Sequence, residues 1–221
     1  MQKFDTPAPV TTVIDLPAGR VQVIAADRAD TTVEIRPVDA DRSRDTKAAE
    51  QIEVDYRDGV LRIAAPAARN QYFGPSGSVE VTVQLPAGSR VEATAAAAGF
   101  RAVGRLGDVV FEGAYGPVKI DEVAGLRLTV ADGDVTVGRL TGPGEISTRR
   151  GDITVAEAVT GTVVLTTHKG DITLGTAASA SLDAGTSHGR VHNSLKNTEG
   201  ADAALAIRAT TAHGDITARG L

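Results

Sequence analysis

The 221-residue chain has no cysteine and no tryptophan. Without thiols there is no disulfide framework, no thiolate metal site and no cysteine nucleophile. Cationic side chains are sparse and scattered, 23 Lys+Arg against 28 Asp+Glu, for a formal net charge of -5. Such a chain has no basic patch with which to displace counterions from a phosphate backbone, which excludes nucleic acid as its natural partner. No stretch approaches the roughly 18 uninterrupted apolar residues of a membrane span, and Met1–Val10 lacks the apolar segment of an export signal. The expectation is a cytoplasmic protein without membrane insertion. Aromatics are few as well, four Phe and three Tyr. The last of these is Tyr115, so the carboxy-terminal half must pack an aliphatic core.

What the chain does have is Val, Ile, Thr and 24 glycines at regular intervals, the chemistry of strands and turns. Gly133-Asp-Val-Thr-Val is followed by Gly151-Asp-Ile-Thr-Val, Gly170-Asp-Ile-Thr-Leu and Gly214-Asp-Ile-Thr-Ala. Degenerate copies start at Gly99, Gly116 and Gly189, and successive landmarks are 17, 17, 18, 19, 19 and 25 residues apart. A near-constant period of this length reads as one coil of a solenoid. Residues two and four after the glycine are apolar in most copies, as in Ile153/Val155, and so in most are residues seven and five before it, as in Val163/Leu165. Alternation of period two predicts two short half-buried strands per coil, joined by glycine corners, the second marked by Gly107, Gly125, Gly142 and Gly161. One coil cannot bury its own apolar positions, but a stack of them can.

The expected fold is therefore all-β, a single β-solenoid with coils of 17 to 19 residues. Residues 1–92 form a less regular β-rich cap, continuous and without a linker into the regular coils of 93–221. Candidate cap strands are Thr11–Ile14, Arg20–Ala25, Thr31–Arg36, Ile52–Tyr56, Val60–Ile63 and Ser78–Leu85, with one short helix at Asp45–Gln51. Ala64–Gly77, holding Pro66, Tyr72, Phe73 and Pro75, reads as an excursion loop, and Ser194–Asp202 as a polar one.

Three features together, Gly19-Arg-Val-Gln-Val, the segment Gly77-Ser-Val-Glu-Val-Thr-Val-Gln-Leu-Pro-Ala-Gly-Ser89 and the tandem Gly-Asp-Ile-Thr copies, resemble the bacterial DUF4097 family of β-strand repeat proteins and candidate adhesins. The resemblance covers nearly the whole chain. It implies the repeat architecture and supplies no catalytic motif. Related toast-rack domains are associated with envelope-stress systems, and a secreted adhesin would need the export signal that is not seen here.

The chemistry-bearing residues have plain structural readings. Asp108, Asp134, Asp152, Asp171 and Asp215 form an aspartate ladder that could hold calcium, but one carboxylate per coil suits acceptance of backbone N–H bonds better. His188 and His213 each precede a landmark glycine and should meet at one corner, with His168 one position out of phase. Zinc would need a third good ligand, so the expectation is no metal and no cofactor. Thr136, Thr154, Thr173 and Thr217 predict an outward hydroxyl ladder. No nucleophile elbow or phosphate loop occurs. The chain thus reads as a non-catalytic scaffold or protein-binding module, with carbohydrate binding or catalysis on one solenoid face, or secreted adhesion, as alternatives. The coil of Gly214 ends the described repeat, so Ile207 and Ile216 are expected at an open edge flanked by His213, Asp215 and Arg219, where a second copy would pair to form a homodimer.

Overall fold

The computed structural model describes residues 1–66, 77–200 and 203–221. Most of the expected excursion loop, and the end of Ser194–Asp202, lie outside them. The elements are β1 (Gln2–Asp5), β2 (Thr11–Ala26), β3 (Asp30–Pro37), α1 (Ser43–Gln51), β4 (Glu53–Arg57), β5 (Val60–Ala64), β6 (Val79–Pro86), β7 (Arg90–Tyr115), β8 (Val118–Asp132) and β9 (Val135–Leu140), followed by β10 (Gly144–Arg150), β11 (Ile153–Ala158), β12 (Gly161–Lys169), β13 (Ile172–Thr176), β14 (Ala180–His188), β15 (Val191–Ser194), β16 (Leu205–His213) and β17 (Ile216–Gly220). The two strands expected at Thr11–Ile14 and Arg20–Ala25 are one continuous strand, because the glycine between them lets the chain turn the corner without breaking its ladder. The helix starts two residues early, and β1 was not anticipated. Its four residues, Gln-Lys-Phe-Asp, carry no apolar alternation.

All seventeen strands of the described residues belong to one hydrogen-bonded sheet that winds into a solenoid. Coil-to-coil pairing is parallel, with one register shift, between β7 and β8 at Ala102/Arg105; from β9 on each coil contributes two separate strands. Along the second strand the inward rank is Val118, Val135, Ile153, Ile172 and Ile216. Along the first it is Phe111, Leu128, Ile146, Leu165 and Ala209. All of these are buried. Alternating residues point outward, and this places Thr136, Thr154, Thr173 and Thr217 side by side as expected.

The order of coils differs from the order of sequence at one place. β12 pairs with β16, and β16 with β14. Likewise β13 pairs with β17, and β17 with β15. The β16–β17 coil is therefore inserted between its two predecessors, and β14–β15 stands at the end of the stack. This overturns the expected open edge: Ile207 is 3% and Ile216 1% exposed, each covered on both sides. It also explains the 25-residue interval. The extra residues are the return path needed to go back one coil, and a loop grown on a corner would not have reordered the ladder.

At the other end, antiparallel strands close the stack. β4 adds to β5, and β3 adds to β6 with β1 outside it. Lys3 Nζ and Arg28 Nε hold Asp30 at 2.9 and 2.8 Å. The hydrogen bonds from Arg28 and then Lys3 lower the Asp30 carboxyl from 3.8 to about 2. A carboxylate depressed in the folded state stabilises above its unfolded pKa, and the contribution is lost as pH falls through the folded value. Acid unfolding of Asp30→Asn should accordingly lack one component present in wild type between about pH 4 and 2, which a stability titration by circular dichroism would detect. One buried hydroxyl, Thr12 Oγ1, has no hydrogen-bond partner among the described residues. Thr12→Val keeps the shape and removes the desolvated group, so it is expected to stabilise by about 1 kcal/mol in urea unfolding; a loss of stability would show that the hydroxyl is satisfied after all.

Candidate functional site

Most of the chemistry-bearing residues gather at the glycine corner between the two strands of each coil. Gly133, Gly151, Gly170, Gly214 and Gly189 have φ between +137° and +158°, a region that disfavours side chains. They are also stacked so closely that a Cβ on each would overlap the carbonyl oxygen of the glycine beneath it. Dense stacking is what lets three hydrogen-bond ladders run up the corner.

The first ladder is backbone. The N–H groups of Gly133, Gly151, Gly170 and Gly214 donate to the carbonyls of Arg150, Lys169, His213 and His188. In the second, the Oδ1 atoms of Asp134, Asp152 and Asp171 accept from the N–H groups of Asp152, Asp171 and Asp215 at 2.9, 2.8 and 2.7 Å, and Asp215 Oδ1 accepts from Arg190 at 2.8 Å. The donor lies in the next coil, not in the same turn. Asp108 stands outside the ladder, at the opposite corner, with Oδ2 4.0 Å from Arg90 and Oδ1 against Gly125. The third ladder was missed from sequence: Thr167, Thr211 and Thr186 donate to the carbonyls of Gly151, Gly170 and Gly214 at 3.1, 3.0 and 2.9 Å. Its signal is Thr-x-x-Gly before a landmark glycine, at Thr167, Thr186 and Thr211; Thr148 has the same spacing but donates to the Arg150 carbonyl at 3.1 Å.

All three ladders follow the reordered stack, and they explain the one coil that breaks the motif. An aspartate at this position serves the amide of the following coil. The β14–β15 coil has no following coil among the described residues, and Arg190 replaces the aspartate there, its guanidinium 3.7 Å from Asp215 Oδ2. Asp152→Ala leaves the Asp171 amide without its acceptor and should cost about 1 kcal/mol, whereas Asp152→Asn retains an oxygen acceptor and should cost less. Equal losses in thermal melts would refute the ladder's role.

His188 and His213 meet as stacked rings with centroids 4.6 Å apart, and His168 approaches His213 edge-on at 6.0 Å. Among the described residues no group of three His, Asp or Glu side chains is placed to hold a metal ion.

The end coil is the other notable feature. β14 pairs only with β16, and β15 only with β17, among the described residues. The return path covers the start of β14: Ala180 N–H donates to Lys196 O, and Ser179 Oγ accepts from Thr198 and Glu199. Beyond it the inward rank is only half covered, with Leu182 and Ala184 partly buried and Val191 43% exposed.

A model of the family described as Toastrack DUF4097 matches residues 11–219. Among solved structures, a candidate adhesin from Bacteroides fragilis is similar over 100% of this chain and 95% of its own, at 14% identity and a TM-score of 0.54. A candidate lipid-binding protein from Parabacteroides distasonis aligns over 98% and 95% at 12% identity and a TM-score of 0.47. A candidate cell adhesion protein from Clostridium sporogenes aligns over 100% and 98% at 14% identity and a TM-score of 0.37. At these identities the likeness concerns the fold. No curated protein matches.

Proposed function

Since the chain belongs to the Toastrack DUF4097 family, we propose that it is a non-catalytic scaffold that binds protein through the open end of its coil stack, with a second copy as the occupant. The observation that carries this reading is the half-covered β14–β15 coil, where a strand edge and the end of an aliphatic column coincide. Such edges are templates for strand addition. The aspartate ladder favours a two-fold pair over head-to-tail growth. With Arg190 in place of aspartate, no carboxylate is available for the amide of another parallel coil. A closed antiparallel pairing of β14 with its copy needs only backbone groups and buries Leu182 and Ala184 on both sides.

Light scattering at micromolar concentration tests it. The expected mass is twice 22.7 kDa, falling to the monomer in Ala184→Lys. A wild-type monomer, or a dimer indifferent to that substitution, overturns the proposal.

A further inference from the structure

A second feature lies on the face formed by the first strands, away from the end coil. A shallow depression of about 510 Å³ runs across β7, β8 and β10. It adjoins a second, of about 370 Å³, with Ala131 and Arg149 lining both. Together they make one trough that crosses successive coils. Its floor is small, with Ala114 and Ala131 in one rank. One wall is a rank of polar side chains in which Glu112, Thr129 and Ser147 are register neighbours. At the far end stand Tyr115, Arg149, Arg150 and His168.

These side chains differ in what already occupies them. Arg150 is committed to Asp132 at 2.7 Å. Arg149 is exposed and has no carboxylate partner among the described residues. Tyr115 is 61% exposed and is the only large exposed aromatic among them. Lining one depression, an exposed phenol ring and a guanidinium without a carboxylate partner among the described residues offer a stacking surface and a planar two-pronged donor.

We infer that this trough binds a linear oligosaccharide bearing carboxylates, with the Tyr115 ring against a sugar face and Arg149 on the acid. The hydroxyl wall suits a polyol better than an acyl chain. An open channel that crosses coils suits a polymer better than a small metabolite, which needs enclosure. The carboxylates of Glu112 and Asp132 in its lining repel any anion, and polyphosphate, which carries more charge per unit length than a chain of acidic sugars, is repelled most. A planar guanidinium matches a carboxylate in bidentate geometry. Among the described residues the acids of the lining are Glu112 and Asp132, and Asp132 is tied to Arg150, so the role inferred is binding and not the paired-acid chemistry of glycoside hydrolysis.

Calorimetric titration with oligogalacturonate is the test, with neutral cello-oligosaccharide and inorganic polyphosphate as parallel probes. Oligogalacturonate should bind, polyphosphate should not, and amide shifts in labelled protein should centre on Ala114, Tyr115 and Arg149. Arg149→Gln should weaken binding at least tenfold and abolish the preference for acidic over neutral sugar. Tyr115→Ala should weaken both sugars about tenfold, with the circular dichroism spectrum unchanged for either variant. Absence of oligogalacturonate binding at millimolar concentration, binding indifferent to both substitutions, or polyphosphate binding of equal strength overturns the inference. Ala184→Lys at the end coil should bind the sugar as wild type does, which separates this result from the fate of the proposed dimer.

Discussion

Replacing Gly151 by valine is expected to destabilise the protein by about 3 kcal/mol or more, combining backbone strain with displaced neighbours. For a chain of this size that is a fall of about 6 to 12 °C in melting temperature. Two independent obstacles meet there. The backbone has φ +137°, and a Cβ would overlap the Gly133 carbonyl, which belongs to the neighbouring rung. Relaxing that overlap would spread the corner and stretch the aspartate and threonine bonds beside it. Gly185 supplies the control, since a Cβ there meets nothing within 4 Å. Gly185→Val should change the melting temperature little. Equal losses at the two sites would show that the corner column does not limit stability.

The second large effect is Ile216→Lys, expected to cost at least about 4 kcal/mol because it places an unpaired charge in an aliphatic interior. Its counterpart is Val191→Lys, on the end coil in the same rank. In dilute solution that variant should unfold within about 1 kcal/mol of wild type, the lysine reaching water past the open edge. Denaturant unfolding of the pair decides the order of coils. Were the stack built in sequence order, Val191 would be interior and Ile216 terminal, and the two results would exchange.

Much of this architecture is visible before any coordinates, because a solenoid writes its period into the chain. Landmark glycines, alternating Val and Ile, and the shared Asp all answer to constraints that recur every coil. The meeting of His188 with His213 follows from the same register. What could not be read was the path between coils. Parallel pairing of β16 with β12 or with β14 satisfies the same alternation, so Ile207 and Ile216 look alike in either arrangement. Two departures did carry the answer: the 25-residue interval, and Arg190 where every neighbouring strong copy has Asp. Each fits a chain that doubles back and a Gly189 coil that, among the described residues, has no successor to serve. The trough was hidden for a different reason. Tyr115, Arg149 and His168 are far apart in sequence and become neighbours only through the coil register.

The doubling back also bears on how the chain is made. β14 and β15 leave the ribosome before β16 and β17, yet their native neighbours are those later strands. The only surface available to them early is the one that β16–β17 will finally occupy, on β12 and β13. Either they wait unfolded or they dock there provisionally and are displaced when β16 takes its eight register positions on β12. Folding at this end therefore resembles a strand exchange more than the simple addition of turns. Growth cannot proceed by laying each newly made coil on the last, and the step that threads the late segment into place is the natural point at which maturation would be slowest.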